Sequence, residues 1–207
     1  MASPSAVQVR ALARRDPVLG RALRRLAPFP GFPAAQQRRL SHYEYLARAI
    51  VFQQLAGAAA RTIWGRARAL TPGPRFPRPE ELLAMSAERL RAASLSRQKS
   101  AALRDLAARV EDGRLVLGSL GRLSDGAIVE RLTSVRGIGE WSAQMLLLFR
   151  LGRLDVLPHT DLAIQEGLRR LDGLAERPRP REVLARGERW RPLASVAAWA
   201  LWRLSED

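Results

Sequence analysis

Apolar residues recur at helical spacing along nearly the whole chain, and no stretch shows the period-two alternation that a half-buried strand requires. The pattern predicts helices over Val18–Leu26, Leu40–Gln54, Gly57–Leu70, Pro79–Leu83 and Lys99–Val110, then Asp125–Leu132, Glu140–Phe149, Asp161–Leu171, Arg181–Trp190 and Leu193–Leu204. Proline and glycine punctuate the gaps: Pro28, Pro30, Gly31 and Pro33, the run from Thr71 to Pro79, Gly113, Gly118 and Gly121, and Pro178 with Pro180. The expected fold is therefore all-α. The Pro-rich stretch near Pro72 is the best candidate for a boundary between lobes, yet it is short and no internal repeat accompanies it, so the chain reads as one unit over 1–207.

Composition narrows the function classes. A chain of 207 residues with 47% hydrophobic content has enough apolar surface to bury a core. It has no cysteine, which excludes disulfides, thiolate zinc sites and four-cysteine iron-sulfur clusters. His42 and His159 lack companions at metal-ligand spacing. No apolar run is long enough to span a bilayer and the first residues show no cleavage pattern, so the expectation is a cytoplasmic protein without membrane contact. The net charge of +15 creates a field that attracts a polyanion. Lys99 is the only lysine, but a preference for arginine over lysine does not by itself create an excess of basic residues.

The segment Val135-Arg-Gly-Ile-Gly139 joins two helical patterns in a tight reversal, making a helical hairpin of about residues 125–149. Gly137 and Gly139 permit a sharp turn and leave no side chain between the backbone and an approaching anion. Amides of Arg136, Gly137, Ile138 and Gly139, at the start of a helix, then face a phosphate directly, a contact indifferent to base sequence. For an isolated Gly-x-Gly, simple packing is the alternative; the longer string from Leu132 through Ala143 is more specific. No Gly-Lys-Ser/Thr follows, so a nucleotide-binding P-loop is disfavoured. Downstream, Pro158-His-Thr-Asp161 opens another helical pattern. Asp161 is either its cap or a carboxylate held near the hairpin for chemistry.

These residues together resemble the helix-hairpin-helix (HhH-GPD) DNA glycosylase superfamily, and within it the 3-methyladenine DNA glycosylase II type. The match runs in order through Arg48-Ala-Ile-Val-Phe-Gln-Gln-Leu55, Val135 to Ala143, Asp155 to Gln165 and the tryptophan-bearing last helix near Trp202. The resemblance implies a two-lobed helical fold with the active-site cleft between lobes, a core of about 34–204 and no separate N-terminal accessory domain. It implies a monomeric bacterial enzyme acting on double-stranded DNA, in which Asp161 is catalytic and stabilises the cationic sugar as an alkylated purine leaves. Trp141, Trp202, Gln53 and Met145 fall at base-pocket positions, where aromatic faces suit an electron-poor base. Met145 stands where the resembled enzymes have a tyrosine. Gln54, with Leu55 as its competitor, falls at the DNA wedge that replaces the extruded base.

No cofactor is required on this reading. A structural Na+ or K+ at the carbonyls of Thr133, Val135 and Ile138 would bridge to DNA phosphate. Bifunctional relatives carry a Schiff-base lysine at the position held here by Trp141, which argues for hydrolysis without strand nicking. Lys99 lies on a distant helix and is expected to meet solvent or phosphate. Asp155 is expected to be structural, and Trp64, Trp190 and Trp199 to be core. The alternative class is a non-catalytic helix-hairpin-helix protein that only binds duplex or damaged DNA.

Overall fold

The structure is a computed structural model that describes residues 4–32 and 40–206. Pro33 and the expected start of the core near residue 34 lie outside the described residues. Every regular element described is helical: α1 (Ala6–Arg15), α2 (Pro17–Arg25), α3 (His42–Phe52), α4 (Gly57–Arg68), α5 (Pro79–Ala84), α6 (Ala87–Ala92), α7 (Arg97–Glu111), α8 (Asp125–Thr133), α9 (Glu140–Leu146), α10 (Leu162–Asp172), α11 (Pro180–Gly187) and α12 (Ala194–Glu206). No helix among the described residues is long and apolar enough to cross a membrane.

Local chemistry sets the helix starts. Ser5 and Ser41 form reciprocal capping boxes with Gln8 and Glu44, while Ser86, Ser96, Ser124 and Asp161 each accept an amide hydrogen bond from the first turn they precede. Proline occupies the first position of α2, α5 and α11, where its missing N–H costs nothing. Helices α1 and α6 are absent from the sequence expectation. Each buries a single apolar residue, Leu12 in α1 and Leu90 in α6.

The described residues divide into two compact units, within Met1–Arg38 with Gln144–Asp207 and within Arg39–Ala143. This corrects the boundary expected near Pro72. The Pro-rich run lies inside the second unit because Phe76 anchors it. Phe76 is buried, stacks on Trp64 at 5.0 Å, meets Tyr43 at 5.9 Å and donates its amide to Glu44 at 3.0 Å. Around this anchor, α3 packs on α4 and α7, and α5 and α6 pack on α7. Their contact faces contain Leu46, Ile50, Leu82, Leu90, Leu103 and Leu106, all essentially without solvent contact.

In the other unit α10 packs on α12, and α2 packs on both. Gly167 makes the α10–α12 crossing tight: a Cβ there would lie 2.0 Å from the Leu201 carbonyl oxygen. Its core includes Leu12, Leu19, Ile164, Leu168, Val183, Trp190 and Leu201, with Trp199 partly buried against it. One ionic cluster is built into this core. Asp16 is 2% exposed; it caps α2 through the Leu19 amide and accepts from the Trp190 indole at 2.8 Å and from Arg186, which also pairs with Asp172. Burial opposes ionisation of Asp16. The bonds from Arg186, the Leu19 amide and Trp190 outweigh it and hold the carboxyl at about 2, below its usual 3.8.

Two outcomes follow from this packing. Gly167→Ala should lower stability by about 2–3 kcal/mol in chemical denaturation, since the methyl meets backbone that cannot rotate aside. Asp16→Asn should cost about 2 kcal/mol at neutral pH. Because the folded-state pKa is depressed, Asp16 contributes its full stabilisation above its usual 3.8 and loses it as pH falls toward 2, so the gap between wild type and variant should close over that interval.

Candidate active site and nucleic-acid interface

Asp161 sits at the N-cap of α10, where its extended backbone turns into the helix. Its Oδ1 accepts the amides of Ala163 at 2.8 Å and Ile164 at 3.1 Å. These bonds make it a true cap, and they also fix the carboxylate's orientation. The Trp202 indole N–H points at the same Oδ1 from 3.4 Å. Asp161 is neither buried nor fully exposed, and the positive end of the helix dipole lies beneath it. A carboxylate so held needs little reorganisation to face a developing positive charge.

The Trp202 ring stacks on Phe149 at 5.5 Å and 26°. Phe149 meets Phe32 at 5.0 Å, Phe32 meets Phe29 at 5.1 Å, and Phe29 meets Trp199 at 5.6 Å, so a chain of rings supports the tryptophan beside the carboxylate. Sequence reasoning missed the three phenylalanines. A helix was expected over Glu140–Phe149, but α9 stops at Leu146 and gives way to a π-turn over Leu147–Leu151 that closes on Gly152 in the left-handed conformation. Met145 is 7% exposed, within this same unit. Asp155 is structural, accepting from Arg191 at 3.0 Å and from the Ala194 amide at 3.4 Å.

The remaining candidates belong to the unit of Arg39–Ala143, among them the hairpin loop between α8 and α9. Gly137 has φ 78°, the left-handed region, and a Cβ there would lie 3.0 Å from Ala102 Cβ. Two of the four expected amide donors are already used. Arg136 N–H donates to Asp105 Oδ2 at 2.8 Å, and Ile138 N–H donates to the Val135 carbonyl at 3.1 Å. The Gly137 and Gly139 amides are the loop donors that find no acceptor among the described residues. Arg136 remains exposed and offers its side chain instead.

The turn after α3 carries the wedge candidates. Gln54 is exposed and adopts φ 56°, which is costly for a residue with a side chain. Gln53, expected at the pocket, donates its side-chain amide to the Gly137 carbonyl at 2.8 Å, and Leu55 is half-buried. Trp141, at the start of α9, is 44% exposed, unusual for so large a ring. Lys99, expected to meet solvent or phosphate, donates to the Val51 carbonyl at 2.7 Å, and partial burial lowers its pKa. Asp105 was not anticipated, because a lone Asp on an amphipathic helix reads as solvated surface. Thr133, Val135 and Ile138 follow one another around the turn, with the Val135 carbonyl accepting from Ile138 N–H. Among the described residues there is no cluster of three or more His, Cys, Asp or Glu able to hold a metal.

Residues 47–192 match the HhH-GPD family, described as HhH-GPD superfamily base excision DNA repair protein. The chain is 37% identical over 175 residues to DNA-3-methyladenine glycosylase 1 of Schizosaccharomyces pombe, covering 84% of this chain and 77% of that protein. Among solved structures it resembles the S. pombe 3-methyladenine DNA glycosylase Mag1 in complex with abasic DNA, with TM-score 0.85, 33% identity and 98% of each chain covered. It also resembles a DNA-3-methyladenine glycosidase from Bacillus halodurans, with TM-score 0.86 and 32% identity, covering 99% of this chain and 91% of that one.

The loop's two open amides separate folding from binding. Gly139→Ala places its Cβ in open space, so its stability should stay within about 1 kcal/mol of wild type while affinity for duplex DNA falls. Gly137→Ala should lose both, because the new methyl meets Ala102 and the left-handed backbone disfavours it. Thermal melts paired with DNA titrations at fixed salt distinguish the two.

Proposed function

Because this chain belongs to the HhH-GPD superfamily of base excision DNA repair proteins, we propose that it is a DNA glycosylase that removes alkylated purines by hydrolysing the N-glycosidic bond. The observation that carries this reading is the Asp161 carboxylate, fixed by its own helix cap and accompanied on the same oxygen by the Trp202 indole.

The chemistry follows from charge. Alkylation makes a purine electron-poor, so the C1'–N bond breaks with its electron pair leaving on the base. Positive charge then accumulates on the sugar, and a preorganised carboxylate stabilises it. Water adds its oxygen to C1', its proton passes to Asp161 or solvent, and the products are free base and an abasic site. The substrate nucleotide must first leave the duplex stack. Gln54, with Leu55 beside it, is the candidate to occupy the gap. Trp202 and Trp141 offer aromatic faces to an electron-poor base, with Met145 and Gln53 as the other pocket candidates. The hairpin holds the DNA backbone through the Gly137 and Gly139 amides and the Arg136 side chain, a grip that carries no base preference.

The carbonyls of Thr133, Val135 and Ile138 are uncharged oxygen donors, and Ile138 N–H occupies only one lone pair of the Val135 oxygen. That donor set fits Na+ or K+ rather than zinc, which takes Cys and His. Such an ion, when bound, supplies positive charge toward phosphate.

The enzyme is proposed to be of the 3-methyladenine glycosylase II type and to hydrolyse without nicking the strand. Trp141 stands where lyases carry a lysine, and the chain's one lysine already donates to a backbone carbonyl.

Asp161→Asn tests the assignment cleanly, since asparagine also caps helices and the fold should survive. Release of 3-methyladenine and 7-methylguanine from methylated DNA should fall about a hundredfold or more, with duplex affinity retained. A wild-type protein that frees no base from any alkylated duplex would instead be the non-catalytic binder. Borohydride treatment of wild type with abasic DNA should yield no covalent adduct.

A further inference from the structure

One face of α7 touches both halves of the DNA-handling surface in its unit. Lys99, Ala102, Asp105 and Arg109 are spaced by three, three and four residues, so they line a single helical stripe. Lys99 Nζ donates to the Val51 carbonyl in the last turn of α3, just before Gln53 and Gln54. Ala102 lies beneath Gly137. Asp105 accepts the Arg136 amide, and Arg109 donates to Asp105 at 2.9 Å and to Ser134 Oγ at 3.3 Å. Gln53 closes the circuit by donating to the Gly137 carbonyl. Of these residues, Gln53, Lys99, Ala102, Arg136 and Gly137 line a cleft of about 290 Å³ together with Gln54.

We propose that this stripe of α7 sets the register between the wedge turn and the phosphate-binding hairpin, with Lys99 and Asp105 as positioning residues for base extrusion. The proposal rests on Gln54 and Leu55 forming the wedge.

A lysine that merely caps a helix end is common. Composition makes this one distinctive. Of 35 basic residues, 34 are arginine (35 less Lys99), so wherever this chain needs only positive charge it uses arginine. An ammonium on an unbranched stem can place a single donor on a single carbonyl from a half-buried position; a planar guanidinium is wider and presents its donors in a fixed fork. Backbone geometry points the same way. Gln54 holds a left-handed conformation, and a strained residue persists only where its surroundings over-determine it. The Lys99 bond fixes the chain immediately before that residue, and the Gln53 bond ties the turn to the hairpin that Asp105 holds from the other side.

Lys99→Met, Lys99→Arg and Asp105→Asn are compared with wild type, using a duplex with 2-aminopurine beside a tetrahydrofuran abasic analogue. Stopped-flow fluorescence at saturating protein reads extrusion, a titration with undamaged duplex reads general affinity, and thermal melts confirm folding. Lys99→Met should slow extrusion by about tenfold or more, within the range that small misplacements cause, with only a small loss of general affinity. Lys99→Arg should keep full general affinity and salt dependence yet remain slow, and Asp105→Asn should be slow as well. Unchanged extrusion in Lys99→Met, or full recovery in Lys99→Arg, overturns the proposal by reducing Lys99 to a charge. If Lys99→Met unfolds, the Lys99→Arg and Asp105→Asn results decide. The double variant Gln54→Ala/Leu55→Ala separates the premise: if it extrudes normally the wedge assignment fails, whereas a slow double variant beside a normal Lys99→Met rejects only the role of α7.

Discussion

The crossing of α10 over α12 at Gly167 is the constraint from which the candidate catalytic centre follows. With no side chain at that point, the α10 backbone comes so close to α12 that a Cβ at Gly167 would lie 2.0 Å from the Leu201 carbonyl oxygen. Trp202 is the next residue along α12, so the same approach delivers its indole to Asp161 at the head of α10. Asp161 gains its orientation from its own helix and its aromatic neighbour from the crossing. The aromatic chain from Trp202 through Phe149 to Trp199 then supports that neighbour, and the π-turn after α9 contributes Phe149 to it.

The hairpin follows a comparable economy of donors. A tight turn produces several amides that cannot all bond within it. Here Asp105 and the Val135 carbonyl take two, and the two glycine amides are left, at the positions where a phosphate can come closest to backbone. Among the described residues, absence of a side chain and absence of an internal partner coincide at Gly137 and Gly139. That coincidence gives the Gly-x-Gly pattern its meaning in this chain, beyond ease of turning.

Much of this was legible in the sequence because it is local. Helical period gave the class and most helix positions; the glycine-bracketed reversal and the Pro-His-Thr-Asp161 loop marked the candidate site. The assignment of Trp64 and Trp190 to the core agrees with the structure. What escaped notice was long-range. The Pro-rich run near Pro72 has the composition of a boundary, but Phe76 buries itself against Trp64 and Tyr43 and holds the run inside a unit. Asp105 and Lys99 look like ordinary surface charges on α7 until the hairpin and the end of α3 are brought beside them. The bond from the Gln53 side-chain amide to the Gly137 carbonyl, 84 residues away, is likewise invisible to local pattern.

By itself the sequence determined the all-helical class, most helix positions, and the residue types able to carry glycosidic chemistry, since each depends on neighbours within about one turn. Only the tertiary structure decided which amides of the hairpin stay open, which indole accompanies Asp161, and which side chain of α7 bonds the end of α3. Those outcomes depend on donors and acceptors tens of residues apart competing for the same partners, and that competition is settled only when packing brings them within hydrogen-bond reach.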